Sequence, residues 1–339
     1  MGYQEGEIYF VREVERTGKL SPFVKIGLVH YREARDSFNR LAEHQTGNPR
    51  QLHLERAQIV KTSAVDMVEA QMHRIYSGKR ISGEWFEFDG EAVVDTAVET
   101  ARSLAAEAAE LVPLFETAAA LKEIDSTEGK RAPTEAELEL GRQNFLAKRK
   151  LSLCGTVESD IKKLLDAAVD AGKDVSEVAG VMSKTYKPKF LESEFKDAYP
   201  DVYSQYLEDV ENRKPSFLNK MKLDDENLDD DFKKEYSEIV AIVSSVTSHD
   251  DVWKLNEPTL RLNNLKGLAK WEEDISEAKL KIALDRHAEM TGVCTWKRAT
   301  SITKKFNSEH FAAENPELAA KFVSTPTVKE YVKAKKTKA

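Results

Sequence analysis

The sequence predicts an α+β protein, in which a small α/β domain is followed by a mainly α-helical region with two weakly repeated helical modules. Three observations predict this fold class. Short β-branched and aromatic runs alternate with helical periodicity over the first 90 residues, long Ala-, Glu- and Leu-rich stretches follow, and one aromatic motif recurs in the second half of the chain.

The N-terminal domain is predicted to run strand, strand, helix, strand, helix, strand. The two opening strands are separated by Thr17-Gly18 and Ser21-Pro22, which favour a hairpin. The first helix carries Arg32 and Arg35 on its polar side and ends at a Thr-Gly-Asn-Pro turn. The predicted elements are strands 7–14 and 23–29, helix 31–44, strand 52–60, helix 63–76 and strand 83–88.

The second helix of this domain carries a carboxylate and an imidazole one turn apart. Glu69 and His73 are four residues apart, whereas the apolar residues of the helix recur at three- and four-residue spacings on another face. Such a pair can contribute to a site for a hard divalent cation, or it can be a surface contact worth a few tenths of a kcal/mol. The spacing alone leaves both interpretations open.

Five short motifs in this order resemble the GIY-YIG nuclease superfamily, in particular its phage-type branch. They are Ile8-Tyr9, Lys25-Ile26-Gly27, Arg40-Leu41 followed by residues 45–49, Glu69 with His73, and Gly83-Glu84-Trp85-Phe86. The resemblance covers about residues 5–90. It implies a metal-dependent endonuclease of phage or mobile-element origin that hydrolyses phosphodiester bonds in DNA.

The resemblance also implies roles for individual residues. Glu69 corresponds to the single carboxylate that binds Mg²⁺ or Mn²⁺, and Arg40 to the arginine that contacts the scissile phosphate. Tyr9 corresponds to the tyrosine that activates or orients the attacking water, and His44 to a histidine that shares proton transfer in some members. Lys25 replaces the usual second tyrosine, and is expected to lower the pKa of Tyr9 or to act as a base.

Two further expectations concern the edges of this site. His73 is expected to orient Glu69 by a hydrogen bond, with simple helix pairing as the alternative. The asparagine that commonly follows the metal-binding glutamate in the family is missing, and Arg80 with Gly83-Glu84-Trp85 occupies that region.

Beyond the nuclease-like domain the chain is predicted to be organised by helices and a repeat. Residues 91–122 predict one long helix or two helices broken near Pro113, and residues 125–133 a polar linker. Phe190, Phe195, Pro200 and Tyr206 recur as Phe306, Phe311, Pro316 and Phe322 with the same spacings. The predicted divisions are 1–92 nuclease-like domain, 93–150 helical connector, 151–215 first module, 216–272 acidic linker with helices, and 273–339 second module with a basic tail.

Composition limits the classes of protein that are possible. The net charge of −8 argues against non-specific coating of nucleic acid, but residues 1–90 hold 13 basic and 13 acidic side chains, so the deficit lies beyond them. No apolar run approaches the roughly 20 residues that cross a bilayer. Together with an acidic N-terminus, this predicts an intracellular, cytoplasmic protein without membrane contact. Cys154 and Cys294 are predicted to be free, buried thiols.

Basic segments near the C-terminus predict contact with nucleic acid. The segment 296–305 and the tail 329–338 combine Lys and Arg with Ser and Thr donors, a composition typical of surfaces that contact phosphates. The residues assigned to DNA contact are Arg35, Trp296, Lys297, Arg298, Lys304 and Lys305. The helical region would bind DNA or form a homodimer. The alternatives are a non-catalytic DNA-binding or regulatory protein on the same scaffold, and a helical protein-interaction factor.

Overall fold

The fold is described for residues 3–31, 35–176 and 178–334 of a computed structural model. It is a mixed α+β fold, as the sequence predicts, and its sheets are almost entirely antiparallel. The predicted tail residues 335–338 and Arg32 lie outside the described residues.

The N-terminal domain is built on a six-stranded antiparallel sheet. Its strands are β1 (Gly6–Val14), β2 (Leu20–His30), β3 (Gln51–His53), β4 (Ile59–Thr62), β5 (Arg80–Ser82) and β6 (Trp85–Glu87). One edge of β1 pairs with β2. The other edge of β1 pairs with β4 near its start and with β3 near its end. β6 extends the sheet beside residues 23–25 of β2 only, which leaves the rest of that β2 edge open for a helix.

Both faces of this sheet are covered by helices. The helices are α1 (Ser37–Gly47), α2 (Val65–Ile75) and α3 (Glu91–Ala120). Because side chains alternate along a strand, Ile8 and Phe10 pack with α2 and α3, whereas Tyr9 and Val11 pack on the side of α1. α1 begins at Ser37, after Asp36 caps it reciprocally with Asn39, and so starts later than the predicted Tyr31.

Two other predicted elements of this domain need correction. The predicted strand 52–60 is two short strands, β3 and β4, separated by a 3-10 turn at Arg56–Gln58. The predicted boundary at residue 92 divides the core, because Val94, Ala97, Val98 and Ala101 of α3 are buried in it. α3 is a single helix that contains Pro113.

A bundle of long helices forms the centre of the remaining chain. α4 (Glu135–Asp170) packs along α8 (Asn256–Leu284), and α7 (Asp230–Ser245) packs against both. The predicted acidic linker 224–231 is docked on this bundle: Leu228 is buried, Asp229 caps α7, and Asp225 and Asp229 pair with Arg149 and Lys150. Two of its carboxylates are therefore paired with basic side chains of α4.

A second sheet incorporates the segment that was predicted to be a polar linker. It joins β10 (Ser216–Asn219), β12 (Cys294–Lys297), β11 (His287–Met290) and β7 (Glu128–Arg131) in that order. β7 pairs in parallel with β11, so residues 128–131 are bound to a strand from near the other end of the chain. Residues 125–133 are therefore a structural element and not a flexible division between domains.

The repeated motifs meet in one small core. The first repeat is β8 (Ala179–Tyr186), α5 (Glu192–Ala198), α6 (Pro200–Gln205) and β9 (Leu207–Arg213). The second is β13 (Thr300–Phe306), α9 (Ser308–Glu314), α10 (Pro316–Ala320) and β14 (Thr327–Ala334). β13 pairs with β9 and β14 with β8, so each repeat supplies one strand to each ribbon. We call the shared cluster of Phe190, Phe195, Phe306, Phe311 and Phe322 the aromatic core.

The two repeats make equivalent contacts with each other, as in an approximate two-fold symmetry. The Leu191 N–H donates to the Phe322 carbonyl at 2.7 Å, and the Asn307 N–H donates to the Tyr206 carbonyl at 2.9 Å. The differences 307 − 191 and 322 − 206 both equal 116, so the two bonds are equivalent. The prediction of two separate helical modules is therefore wrong, because the repeats interlock and each contains two strands.

Two predictions from composition can be compared with the structure. Both cysteines, Cys154 and Cys294, are buried and free, as predicted. Among the described residues, no helix is long and apolar enough to cross a membrane.

Candidate functional site

Tyr9 and Lys25 lie on the same face of the N-terminal sheet. Tyr9 is opposite Gly27 and Lys25 is opposite Val11 across the β1–β2 pair, so the two side chains are diagonal neighbours. Gly27 makes this possible: a Cβ there would lie 2.6 Å from the Tyr9 hydroxyl and ring. The glycine of the Lys-Ile-Gly motif therefore provides the space that the Tyr9 ring occupies.

α1 brings Arg40 and His44 to the same face. The Tyr9 hydroxyl is 3.2 Å from Nε2 of His44, and the positive charge of Arg40 lies near enough to act on Tyr9. Arg40 also pairs with Glu43 at 2.6 Å, and Glu43 pairs with Arg35 as well. Arg35, predicted to contact DNA, is exposed at the end of this carboxylate bridge.

α2 crosses the open edge of β2 and brings Glu69 to the cluster. His73, one turn further along α2, is 3.0 Å from the Ile26 carbonyl through Nε2, and its ring lies 5.2 Å from that of Phe86. The Ile26 N–H donates to the Glu84 carbonyl at 3.0 Å, so both polar groups at this edge position are satisfied. His73 thus links α2 to β2. The predicted hydrogen bond between His73 and Glu69 is absent.

Glu69 is a partly buried carboxylate of α2. It makes no hydrogen bond or ion pair with any other described residue. Burial raises the pKa of Glu69 to about 7, and the negative charges of Glu84 and Asp66 act in the same direction, against Lys25 and Arg80. Glu69 is close enough to Tyr9 for its charge to raise the pKa of that tyrosine.

The protonation of Tyr9 and His44 differs from the expectation based on Lys25. Burial raises the pKa of Tyr9 to about 12, although Arg40 opposes the shift, so the predicted lowering is wrong. Tyr9 is only 1% exposed, which explains the size of the burial effect. Burial and the nearby charges of Lys25 and Arg40 lower the pKa of His44. At neutral pH the pair is therefore a protonated tyrosine beside a neutral imidazole.

Two charged residues of the site were not among the predicted site residues. Glu84, from the Gly-Glu-Trp-Phe motif, pairs with Lys25, whose side chain is only 11% exposed. Arg80 stacks over Phe86 and acts on both Glu69 and Glu84. The only signal for them in the sequence was their place in the region where the family's asparagine is missing. The cluster therefore holds three cationic side chains, Lys25, Arg40 and Arg80, and three carboxylates, Glu43, Glu69 and Glu84.

The predicted C-terminal DNA-contacting segment is only partly at the surface. Trp296 is 1% exposed and Arg298 is 0% exposed, and Arg298 donates to the Leu121 carbonyl at 2.8 Å. Trp296 and Arg298 are therefore structural residues beside the second sheet, and the prediction of DNA contact is wrong for both in this conformation. Lys297, Lys304 and Lys305 are exposed.

Within the described ranges, no group of three or more His, Cys, Asp or Glu side chains is placed to bind a metal by protein ligands alone.

Comparison of the chain with models of protein families, with curated proteins and with solved structures finds no match.

Proposed function

We propose that this chain is a metal-dependent DNA endonuclease whose active site lies in the N-terminal domain. The observation that supports it is the convergence of Tyr9, Lys25, Arg40, His44 and Glu69, which come from two strands and two helices, at one open sheet edge. These are the residues to which the GIY-YIG resemblance gives catalytic roles. Burial of the charged cluster against a small sheet also fits a site in which pKa values are tuned.

Glu69 fits the role of a ligand to Mg²⁺ or Mn²⁺. Mg²⁺ keeps several water ligands and is commonly held by one or two carboxylates together with substrate phosphate, so a larger group of protein ligands is not required. A partly buried carboxylate with no bonding partner among the described residues, and a raised pKa, is one that a divalent cation would neutralise. When bound, the ion would stabilise charge on the phosphoryl oxygens.

The charge balance of the site also supports a need for a cation. Three cationic and three carboxylate side chains leave little net charge when Glu69 is ionised, so the cluster by itself would attract a phosphate only weakly. Arg40 would hold the scissile phosphate through its planar donors after exchanging Glu43 for a phosphate oxygen.

Tyr9 and His44 would accept the proton of the attacking water together. With a pKa of about 12, only about one Tyr9 in 10⁵ is a phenolate at pH 7, so Tyr9 alone is a poor base. As the Tyr9 oxygen takes a proton from water, its own proton would pass to Nε2 of neutral His44, which is 3.2 Å away. The hydroxide attacks phosphorus as the P–O bond to the leaving alkoxide breaks. The alkoxide takes a proton from solvent water, and the His44 imidazolium releases its proton to solvent, which restores the neutral pair.

A nicking assay on supercoiled plasmid, with and without Mg²⁺ or Mn²⁺, tests this proposal. We expect cation-dependent nicking by the full chain, and a loss on the order of 10²–10³-fold in Glu69→Gln, the range for removal of one charge-stabilising group. Glu110→Gln is the matched control, because Glu110 is an exposed carboxylate of α3 that lies outside the cluster. Near wild-type cutting by Glu69→Gln would show that the assignment of the site is wrong.

A non-catalytic DNA-binding protein on the same scaffold is the second candidate. It is favoured by the near-complete burial of Tyr9 and by the ion pair that engages Lys25 with Glu84. This candidate predicts DNA binding without nicking under any divalent cation, and equal affinity of the wild-type chain and Glu69→Gln. The plasmid assay followed by a binding assay on the same samples separates the two.

A further inference from the structure

The ribbon formed by β8 and β14 is exposed along most of its length. Its two ends are fixed, since Ala179 and Val332 are buried against the helical bundle and Phe190 bridges to Val323 beside the aromatic core. Between these ends, residues on both faces are exposed. A two-stranded ribbon solvated on both faces has little stability of its own.

Register and strand alternation place an unusual set of side chains on one face of this ribbon. Lys184 lies opposite Lys329, Met182 opposite Tyr331, and Tyr186 opposite Thr327, and alternation puts all six on the same face together with Lys333. Glu330 lies opposite Ser183 and projects from the other face. We call the first face, comprising Met182, Lys184, Tyr186, Thr327, Lys329, Tyr331 and Lys333, the basic face.

The charges of the basic face are not compensated within the described protein. Lys184 and Lys329 are directly opposed, and their ammonium groups lie 5.1 and 5.9 Å from the centre of the Tyr186 ring. None of Lys184, Lys329 and Lys333 forms an ion pair with a described residue. Opposed like charges destabilise a strand pair, so a bound anion would relieve a cost that the free ribbon carries.

The equivalent ribbon of β9 and β13 shows that this charge pattern is not imposed by the repeat. There Lys304 lies opposite Asp209 and Lys305 opposite Glu208, so each lysine faces a carboxylate. The two lysines also lie on opposite faces of that ribbon, because they are consecutive in the strand. The two ribbons, which are similar in length, therefore differ in what lies opposite their lysines: Lys329 faces Lys184 in one, and carboxylates face Lys304 and Lys305 in the other.

We propose that the basic face binds the phosphate backbone of double-stranded DNA. Its lysines supply the cations, and the tyrosine hydroxyls can donate to phosphate oxygens. A two-stranded ribbon is narrow enough to enter a major groove about 12 Å wide. This inference rests on the proposed function for the identity of the polymer as DNA, but it concerns affinity and requires no cleavage at the N-terminal site.

The test is fluorescence anisotropy of a labelled DNA duplex with the full chain in EDTA, across a series of salt concentrations. Loss of two phosphate contacts in the Lys184→Gln/Lys329→Gln variant should reduce the slope of log affinity against log salt by about 2 and weaken binding roughly 10- to 60-fold at 0.1 M salt. The Lys173→Gln/Lys270→Gln variant removes the same charge at two exposed lysines that pair with carboxylates, Lys173 with Asp250 and Lys270 with Glu273, and should bind within about 2-fold of wild type.

Further arms make the outcome decisive. A Lys184→Arg/Lys329→Arg variant keeps the charge and should bind like wild type, which shows that the positive charge at these positions accounts for the loss. Matching circular dichroism spectra of wild type and the Lys184→Gln/Lys329→Gln variant exclude misfolding. Equal losses in the two glutamine variants, or an unchanged salt slope, would overturn the proposal. So would tighter binding to a single strand of the same length or to acidic phospholipid vesicles. The binding test in EDTA does not depend on cleavage. A chain that binds DNA through this face but never nicks plasmid with Mg²⁺ would therefore overturn only the proposed nuclease function.

Discussion

At the scale of single residues, the stability of the folded chain depends on the protonation of Glu69, a carboxylate with no hydrogen bond or ion pair to another described residue. Glu69 is partly buried and its pKa is raised to about 7, chiefly by burial. A group whose folded pKa lies above its unfolded value favours the folded state only while it is protonated. This contribution is complete below the unfolded value of 4.5 and is lost as the pH rises through about 7.

We therefore predict that Glu69→Gln changes the pH dependence of stability in the metal-free protein. Between pH 5 and pH 8 the wild-type chain should lose roughly 1–2 kcal/mol relative to Glu69→Gln, after allowance for solvent screening of a partly exposed group. Urea unfolding in EDTA at both pH values measures it. The lowered pKa values of His44 and His73 make the folded state more stable as the pH rises, which is the opposite effect. Their contribution cancels in the comparison because wild type and Glu69→Gln both retain the two histidines. An equal change in the free energy of unfolding between pH 5 and pH 8 for the two proteins would contradict this prediction.

The motifs predicted which residues of the candidate site lie together, but not their protonation states or ion pairs. The motif order placed Tyr9, Lys25, Arg40, His44 and Glu69, and the structure brings these five together. Lys25 was expected to act on Tyr9, yet it is paired with Glu84, a residue 59 positions away whose approach depends on the β2–β6 register. Trp296 and Arg298 have a surface-like composition around them, but burial depends on a sheet that a local pattern cannot reveal.

At the scale of elements, β1, β2 and α2 of the N-terminal domain were predictable because their period is local, whereas the predicted strand 52–60 is divided by a 3-10 turn. The partners of α3 and β7 were not predictable. α3 has an apolar stripe typical of any amphipathic helix, and only the structure shows that its first half completes the N-terminal core. β7 has the polar composition of a linker, Glu-Gly-Lys-Arg, and is a strand because β11 supplies its hydrogen bonds.

The position of α3 leads to a prediction about truncated chains. A chain ending at residue 92 should not fold cooperatively, whereas one ending at residue 124 should. The first half of α3 buries Val94, Ala97, Val98 and Ala101, which is worth roughly 5 kcal/mol, comparable to the whole stability of a small domain. Thermal unfolding followed by circular dichroism tests both chains. A cooperative transition of similar midpoint in the shorter chain would show that the core closes without α3.

At the scale of the whole molecule, the repeat was visible in the sequence but its assembly was not. Identical spacings of Phe and Pro predicted two related modules, and the structure places their aromatic residues in one core. Strand exchange explains the difference, since each repeat must pair with the other to satisfy its strands. The aromatic core thereby ties residues near 190 to residues near 320, and the two ribbons fix it to the bundle and the second sheet.

This arrangement predicts that the two repeats unfold together. Phe195 and Phe311 are each 0% exposed and their ring centres are 4.5 Å apart, so either one changed to Ala should cost about 3–5 kcal/mol. Because they are in contact, the double variant should cost less than the sum of the two. Trp253→Ala is the control, as Trp253 is 57% exposed and lies outside the aromatic core.

Hydrogen exchange measured by mass spectrometry gives the decisive comparison. In Phe311→Ala, the amides of α5 and β9 should lose protection to the same extent as those of α9 and β13. Loss confined to the second repeat would show that the modules fold independently and that the shared core is only a contact surface.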